Sequence, residues 1–118
     1  MRDIGRIAEH RAARWLEDKG HLILARNWRS VFGEIDIIMK DGDCLVLVEV
    51  RYRARADYGT PGETVNWWKQ RRIIKTALIY MLDLGWEGPV RFDVLAMGPE
   101  GIEHIKDAFQ PGQRLPFR

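Results

Sequence analysis

Apolar residues recur along this chain with two periods, and the change from one to the other marks the elements. Near the N-terminus Ala8, Ala12, Trp15 and Leu16 fall on one stripe of a helix. Asp3 is placed to cap that helix, and Gly20, just past Lys19, to end it. Leu22-Ile23-Leu24 then reads as a short strand, with the polar run Arg26-Asn27-Trp28-Arg29-Ser30 as a connection leading to Gly33. Glu34 to Met39 and Cys44 to Val50 are rich in β-branched residues and are separated by Lys40-Asp41-Gly42-Asp43, so Asp-Gly predicts a tight hairpin between two strands.

Beyond a polar loop from Tyr52 to Gly59, Thr60-Pro61-Gly62-Glu63 reads as a capping box with proline at the first helical position. The helix it opens runs to about Leu84, where Gly85 and Pro89 end it. Val90 to Met97 predicts another strand, turned by Gly98-Pro99-Glu100-Gly101 into a hairpin partner, Ile102 to Ile105. The order helix, strands, helix, strands implies one α/β domain over residues 1–109, a mixed sheet packed against helices, with an irregular tail over residues 110–118.

Composition narrows this picture. A chain of 118 residues with 46% hydrophobic content can bury a core without disulfides or structural metals. Cys44, the single cysteine, lies in an apolar run and suits a buried thiol in a reducing compartment, and it excludes an internal disulfide and a cysteine-based zinc site. Met1-Arg2-Asp3-Ile4-Gly5-Arg6 lacks the apolar region of a signal peptide, and no stretch approaches the roughly 20 apolar residues of a membrane span, so the cytoplasm is the expected location. The net charge of +2 does not by itself argue for a polyanionic partner.

The hairpin carries the candidate chemistry. A turn centred on Asp41-Gly42 sets Glu34 opposite Glu49, with Asp36 diagonally beside it. Alternation puts Glu34, Asp36, Glu49 and Arg51 on one face, and Ile35, Ile37, Met39, Val46, Val48 and Val50 on the other, which is the core face. Like charges facing each other repel, and partly buried carboxylates must be paired, protonated or bound to metal. Mg²⁺ takes oxygen ligands, commonly one or two carboxylates, and supports hydrolysis of a phosphodiester. The same spacing also fits solvated carboxylates near a strand end, with Glu49 paired to Arg51 or Arg53.

Asp36 followed by Glu49-Val50-Arg51 resembles the PD-(D/E)XK nuclease core, with arginine in place of the usual lysine. Gly5 and Glu9, Arg26-Asn27, Gly33-Glu34-Ile35-Asp36, Val48-Glu49-Val50, Gly59, Lys69 and Arg91-Phe92-Asp93-Val94 together are similar to the bacterial YraN-type family, over most of the chain from about Gly5 to Phe109. That resemblance implies kinship with archaeal Holliday-junction resolvases, a restriction-endonuclease-like mixed β-sheet flanked by α-helices, and a homodimer. It also implies that Asp36, Glu49, the carbonyl of Val50 and Glu9 bind Mg²⁺ or Mn²⁺. Independently, helical spacing puts Glu9 beside Leu16 at the border of the apolar stripe. Arg51 stays protonated at any working pH, so it suits stabilising charge on a phosphate better than deprotonating water, and Lys69 can supply an ammonium from the second helix.

On that helix Trp68, Arg71, Arg72 and Lys75 project to one side, while Ile73, Ala77, Tyr80, Met81 and Leu84 face inward. With Arg51, Arg53 and Arg55 they form a track for nucleic acid, because clustered cations hold phosphates and an exposed Trp stacks on unpaired bases. An ordinary charged helix face has the same pattern. His10, His21 and His104 show no ligand-like spacing and are assigned no role. The expected function is a metal-dependent endonuclease acting on structured or branched DNA. Its competitors are a catalytically silent DNA-binding module and a scaffold subunit offering apolar surface around Trp67, Trp68 and Pro116-Phe117 to another protein.

Overall fold

A strand that is apolar at successive positions has to be covered on both faces, and the central strands of this chain are of that kind. The computed structural model describes residues 4–52 and 65–111. Within them the chain forms α1 (Ile4–Asp18), β1 (Leu22–Ser30), β2 (Gly33–Asp41), β3 (Cys44–Tyr52), α2 (Trp67–Leu84), β4 (Val90–Gly98) and β5 (Gly101–Ile105). The strands make one sheet in the order β1-β2-β3-β4-β5. Neighbours are antiparallel except β3 and β4, which are parallel. A parallel pair needs a long crossover, and the crossover here contains α2.

The helices lie on opposite faces. Ile73, Ile74 and Ala77 of α2 pack with Ile35, Ile38, Leu45, Leu47, Phe92 and Val94. Ala8, Ala12, Ala13 and Leu16 of α1 pack with Ile37, Met39, Val46, Val48, Leu95 and Met97. The result is a mixed sheet flanked by helices, the restriction-endonuclease-like arrangement. Among the described residues no helix is long and apolar enough to cross a membrane.

Several elements differ from the sequence pattern, each for a local reason. The polar run after Leu24 is not a connection: β1 continues through Ser30 as an edge strand, where outward polar residues meet water and only Ala25 and Trp28 need to face the core. The hairpin loop is Gly42-Asp43, with Asp41 paired to Cys44. Gly42 alone of the two takes a positive φ (+61°), the glycine-first form of a two-residue turn. The register is therefore displaced by two residues, a shift that does not by itself exchange strand faces but puts Asp36, not Glu34, level with Glu49.

Both faces of the hairpin are core, not one, and Ile35 joins Ile38 on the α2 side instead of Ile37 and Met39 on the α1 side. The carboxylates thus stand at the end of an apolar row rather than on a polar face. α2 begins at Trp67, capped by the Asn66 side chain accepting from Lys69 N at 2.9 Å, so the Thr60–Glu63 capping box does not open it, and those residues lie outside the described ones. Asp3, Arg53, Arg55, Gly59 and the Pro116-Phe117 tail are outside them as well. Leu84, in the last turn, is exposed rather than inward, whereas Ile74 and Thr76 are buried. Cys44 is only partly buried.

Candidate functional site

The ladder between β2 and β3 stops at the pair Ile37 and Val48, and the site opens where it stops. There Val50 N donates to Asp36 Oδ2 at 2.8 Å. On β3 the row Leu45, Leu47, Glu49 faces α2, and Glu49 at its end is 4% exposed. Lys69 Nζ stands 2.6 Å from Glu49 Oε2, and Arg51 Nη1 stands 3.5 Å from the same oxygen. A buried carboxylate is tolerable only with partners of this kind. Gly33, Glu34, Asp36, Glu49, Lys69, Arg72 and Ile73 line a cavity of about 240 Å³ between the sheet end and α2.

Glu9 reaches this end of the sheet from α1. One residue connects it: Asn27 Nδ2 donates to Glu9 Oε1 at 2.7 Å and to Glu34 Oε2 at 2.9 Å. Asn27 holds φ +51°, a left-handed conformation that asparagine tolerates better than most residues. Arg29 Nε adds a contact of 3.3 Å to Glu34 on the solvent side. Sequence reasoning gave Asn27 no role, although its αL tolerance in a strand between two candidate acids is a usable signal.

Burial pushes the Asp36 carboxyl up to about 8, the Glu49 and Glu9 charges push it the same way, and the Val50 N–H and Lys69 oppose them. At neutral pH Asp36 therefore binds a proton, and Glu49 draws in an ammonium and a guanidinium. The acids satisfy their need for positive charge from within the chain, and hard oxygen donors with that need are the donor set a Mg²⁺-type cation takes. In kind, the Asp36 and Glu49 carboxylates suit such an ion. As the side chains stand, no three His, Cys, Asp or Glu residues among the described ones are gathered for ligation.

Of the residues picked out from sequence, Asp36, Glu49, Val50, Glu9, Arg51 and Lys69 come together here, and Arg72 lines the same cavity. Arg71 and Lys75 stand apart from the acids, each over an aromatic ring: Arg71 4.7 Å from Trp67 and Lys75 5.1 Å from Phe32. Trp68 is 68% exposed.

A second polar cluster, on the opposite, α1 face of the sheet, escaped the sequence reading. Asp93 is fully buried and accepts from Arg91 Nε and Nη2 at 2.8 Å, His104 Nε2 at 2.7 Å and Asp107 N at 2.9 Å. Burial alone would raise its carboxyl, but the His104, Arg91 and Asp107 hydrogen bonds outweigh burial and hold it below the usual range. Arg91 also reaches Asp41 at 3.0 Å, and Asp41 lies 3.6 Å from His21. With every Asp93 oxygen already engaged, this cluster joins β2, β4 and β5 and has no coordination to offer.

The sequence matches the model of a family described as uncharacterised protein family UPF0102 over residues 8–97. A UPF0102 protein of Thermodesulfovibrio yellowstonii is 46% identical over 107 residues, covering 91% of this chain and 96% of the relative. Relatives of the same description in Rhodococcus jostii and Symbiobacterium thermophilum are 47% and 48% identical, covering 90% and 85% of this chain and 95% and 87% of theirs. The matched span runs from α1 to β4 and includes Glu9, Asn27, Asp36, Glu49 and Lys69, so the chain belongs to the UPF0102 family.

Proposed function

We propose that this protein is a metal-dependent nuclease that hydrolyses phosphodiesters in structured or branched DNA. The observation that carries this reading is Asp36 beside buried Glu49, in a cavity that Lys69 and Arg72 also line. Asp36, Glu49 and the Val50 carbonyl would hold Mg²⁺ or Mn²⁺, and Glu9, which Asn27 ties to Glu34, would complete the acidic cluster. A divalent cation bound there supplies Lewis-acid polarisation of the phosphodiester.

The remaining chemistry belongs to the chain. Arg51 keeps its proton and offers N–H donors to charge developing on phosphate oxygen. Lys69 Nζ, already held against Glu49, takes the place that a lysine two positions after Glu49 would otherwise fill, orienting water at the cavity. Arg72 clamps a phosphate at the mouth.

A second reading has an observation of its own in the Lys69–Glu49 contact, which engages one acid without a metal. In that reading the protein binds DNA and does not cut it. The test is cleavage of labelled four-way junction, flap, single-stranded and duplex DNA with Mg²⁺ or Mn²⁺, by the native protein and by Asp36→Ala and Glu49→Ala. The nuclease reading expects cleavage that needs the cation and falls at least about 100-fold in both variants. Salt-sensitive binding with no cleavage by the native protein replaces it with the silent module.

A further inference from the structure

The first half of α2 is charged against its own dipole. Lys69, Arg71, Arg72 and Lys75 all lie in the first nine residues of the helix, and its first acid is Asp83. Cations near a helix N-terminus are unfavourable, so an external anion has a ready place there. The apolar residues alongside are also costly in water: Trp67 is 55%, Trp68 68%, Val31 93% and Phe32 41% exposed.

These residues form a continuous surface. Thr76 Oγ1 of α2 and Ser30 Oγ of β1 are hydrogen-bonded at 2.8 Å, and Phe32 N donates to Ser30 Oγ at 3.0 Å, which fixes the β1–β2 turn against the helix. Arg71 lies over Trp67, and Lys75 lies over Phe32. Arg71 and Lys75 are four positions apart, so the two cation–aromatic pairs are spaced about 6 Å along the axis. That exceeds the roughly 3.4 Å step of a stacked duplex strand and suits nucleotides whose bases are separated. Gly33, next to Phe32, and Arg72, next to Arg71, both line the carboxylate cavity, so the ridge leads into it.

We infer that the ridge formed by Trp67, Trp68, Arg71, Lys75 and the Val31-Phe32 turn binds an unpaired nucleic-acid strand and delivers its backbone to the cavity. This rests on the nucleic-acid reading above and narrows it to substrates with a single-stranded segment beside the bond attacked. With Lys69 held by Glu49, Arg71, Arg72 and Lys75 remain, three cations on α2 without an intervening acid, and they favour a polyanion over a protein or a second copy of the chain.

The test is fluorescence anisotropy of a labelled single strand, a blunt duplex and an overhang duplex of the same sequence, in EDTA, with the full chain and with Trp68→Ala and Phe32→Ala. Both side chains are substantially exposed, so the variants are expected to fold, and circular dichroism checks this. Single strand and overhang are expected to bind about tenfold tighter than blunt duplex. Each variant is expected to lose about tenfold on them, with duplex binding unchanged. Equal affinity for all three nucleic acids, or variants that bind the single strand like the native chain, overturns the inference and leaves the nuclease reading in place. Salt-sensitive binding of none removes both. Self-association abolished by Trp68→Ala, with single-strand binding intact, assigns the ridge to a second copy instead.

Discussion

Asp36 carries its proton up to about pH 8 in the folded chain, whereas in the unfolded chain an aspartate releases it near pH 4. The unfolded state therefore gains from deprotonation first. The contribution of Asp36 to stability is fully present below about pH 4, declines as pH rises, and is lost once pH passes about 8. Asp36→Asn keeps an acceptor for the Val50 N–H and has no proton to lose. In urea melts of metal-free protein it is expected to flatten this decline and to exceed the native chain by roughly 1–3 kcal/mol above pH 8. A variant whose stability tracks the native chain at every pH would show Asp36 to be an ordinary solvated carboxylate. The acids here were legible from the hairpin because strand faces survive a two-residue change of register. Their exact pairing was not, since a glycine-first turn and an Asp-Gly turn share the same letters.

β1 shows what an irregular strand accomplishes. The register with β2 slips between Ile23 and Ala25, and the half-buried positions change phase, from Ile23 and Ala25 to Trp28 and Ser30. Asn27 sits at the phase change with its positive φ and turns its amide toward Glu9 and Glu34. Backbone and side-chain contributions separate by substitution. Asn27→Gly loses the two hydrogen bonds but keeps the left-handed conformation, while Asn27→Ala loses both and is expected to be about 1 kcal/mol less stable than the glycine variant by thermal or urea unfolding. Equal losses would mean that the strand straightens without penalty. The second half of β1 was not legible because an edge strand with water on its outer side needs few apolar residues, and Arg26 to Ser30 has only Trp28. α2 was legible in its body from Ile73, Ala77, Tyr80 and Met81, but not at its start, where Asn66 resembles any polar loop residue.

At the scale of the molecule each face of the sheet carries a polar cluster, and the two behave differently. The carboxylate site opens into a cavity, with Lys69 and Arg51 against Glu49, whereas the cluster around Asp93 is closed, with Arg91, His104 and Asp107 N all on one buried carboxylate. Asp93→Asn removes the buried charge that Arg91 and His104 both bond, leaves Arg91 only Asp41 as counter-charge, and is expected to cost about 3 kcal/mol in urea melts at neutral pH. Because the folded carboxyl is held below its unfolded value, the stability it provides is present above about pH 4 and lost as pH falls through its folded range. The native chain is therefore expected to lose stability steeply in acid, and the variant to show a shallower slope. Alternation along β4 sets Arg91 and Asp93 on one face, but nothing in the spacing revealed His104 and Asp107, which reach Asp93 only through the pairing of β5 with β4. The kinked β1 has one more consequence, which concerns how copies of the protein meet. An outermost strand presents a row of unpaired N–H and C=O groups that a neighbour's strand can extend. The slip around Leu24 and the left-handed Asn27 interrupt that row, and Arg26 and Arg29 add like charge beside it. The bend that aims an amide at the acids thus also guards the sheet against fibrous aggregation in a crowded solution.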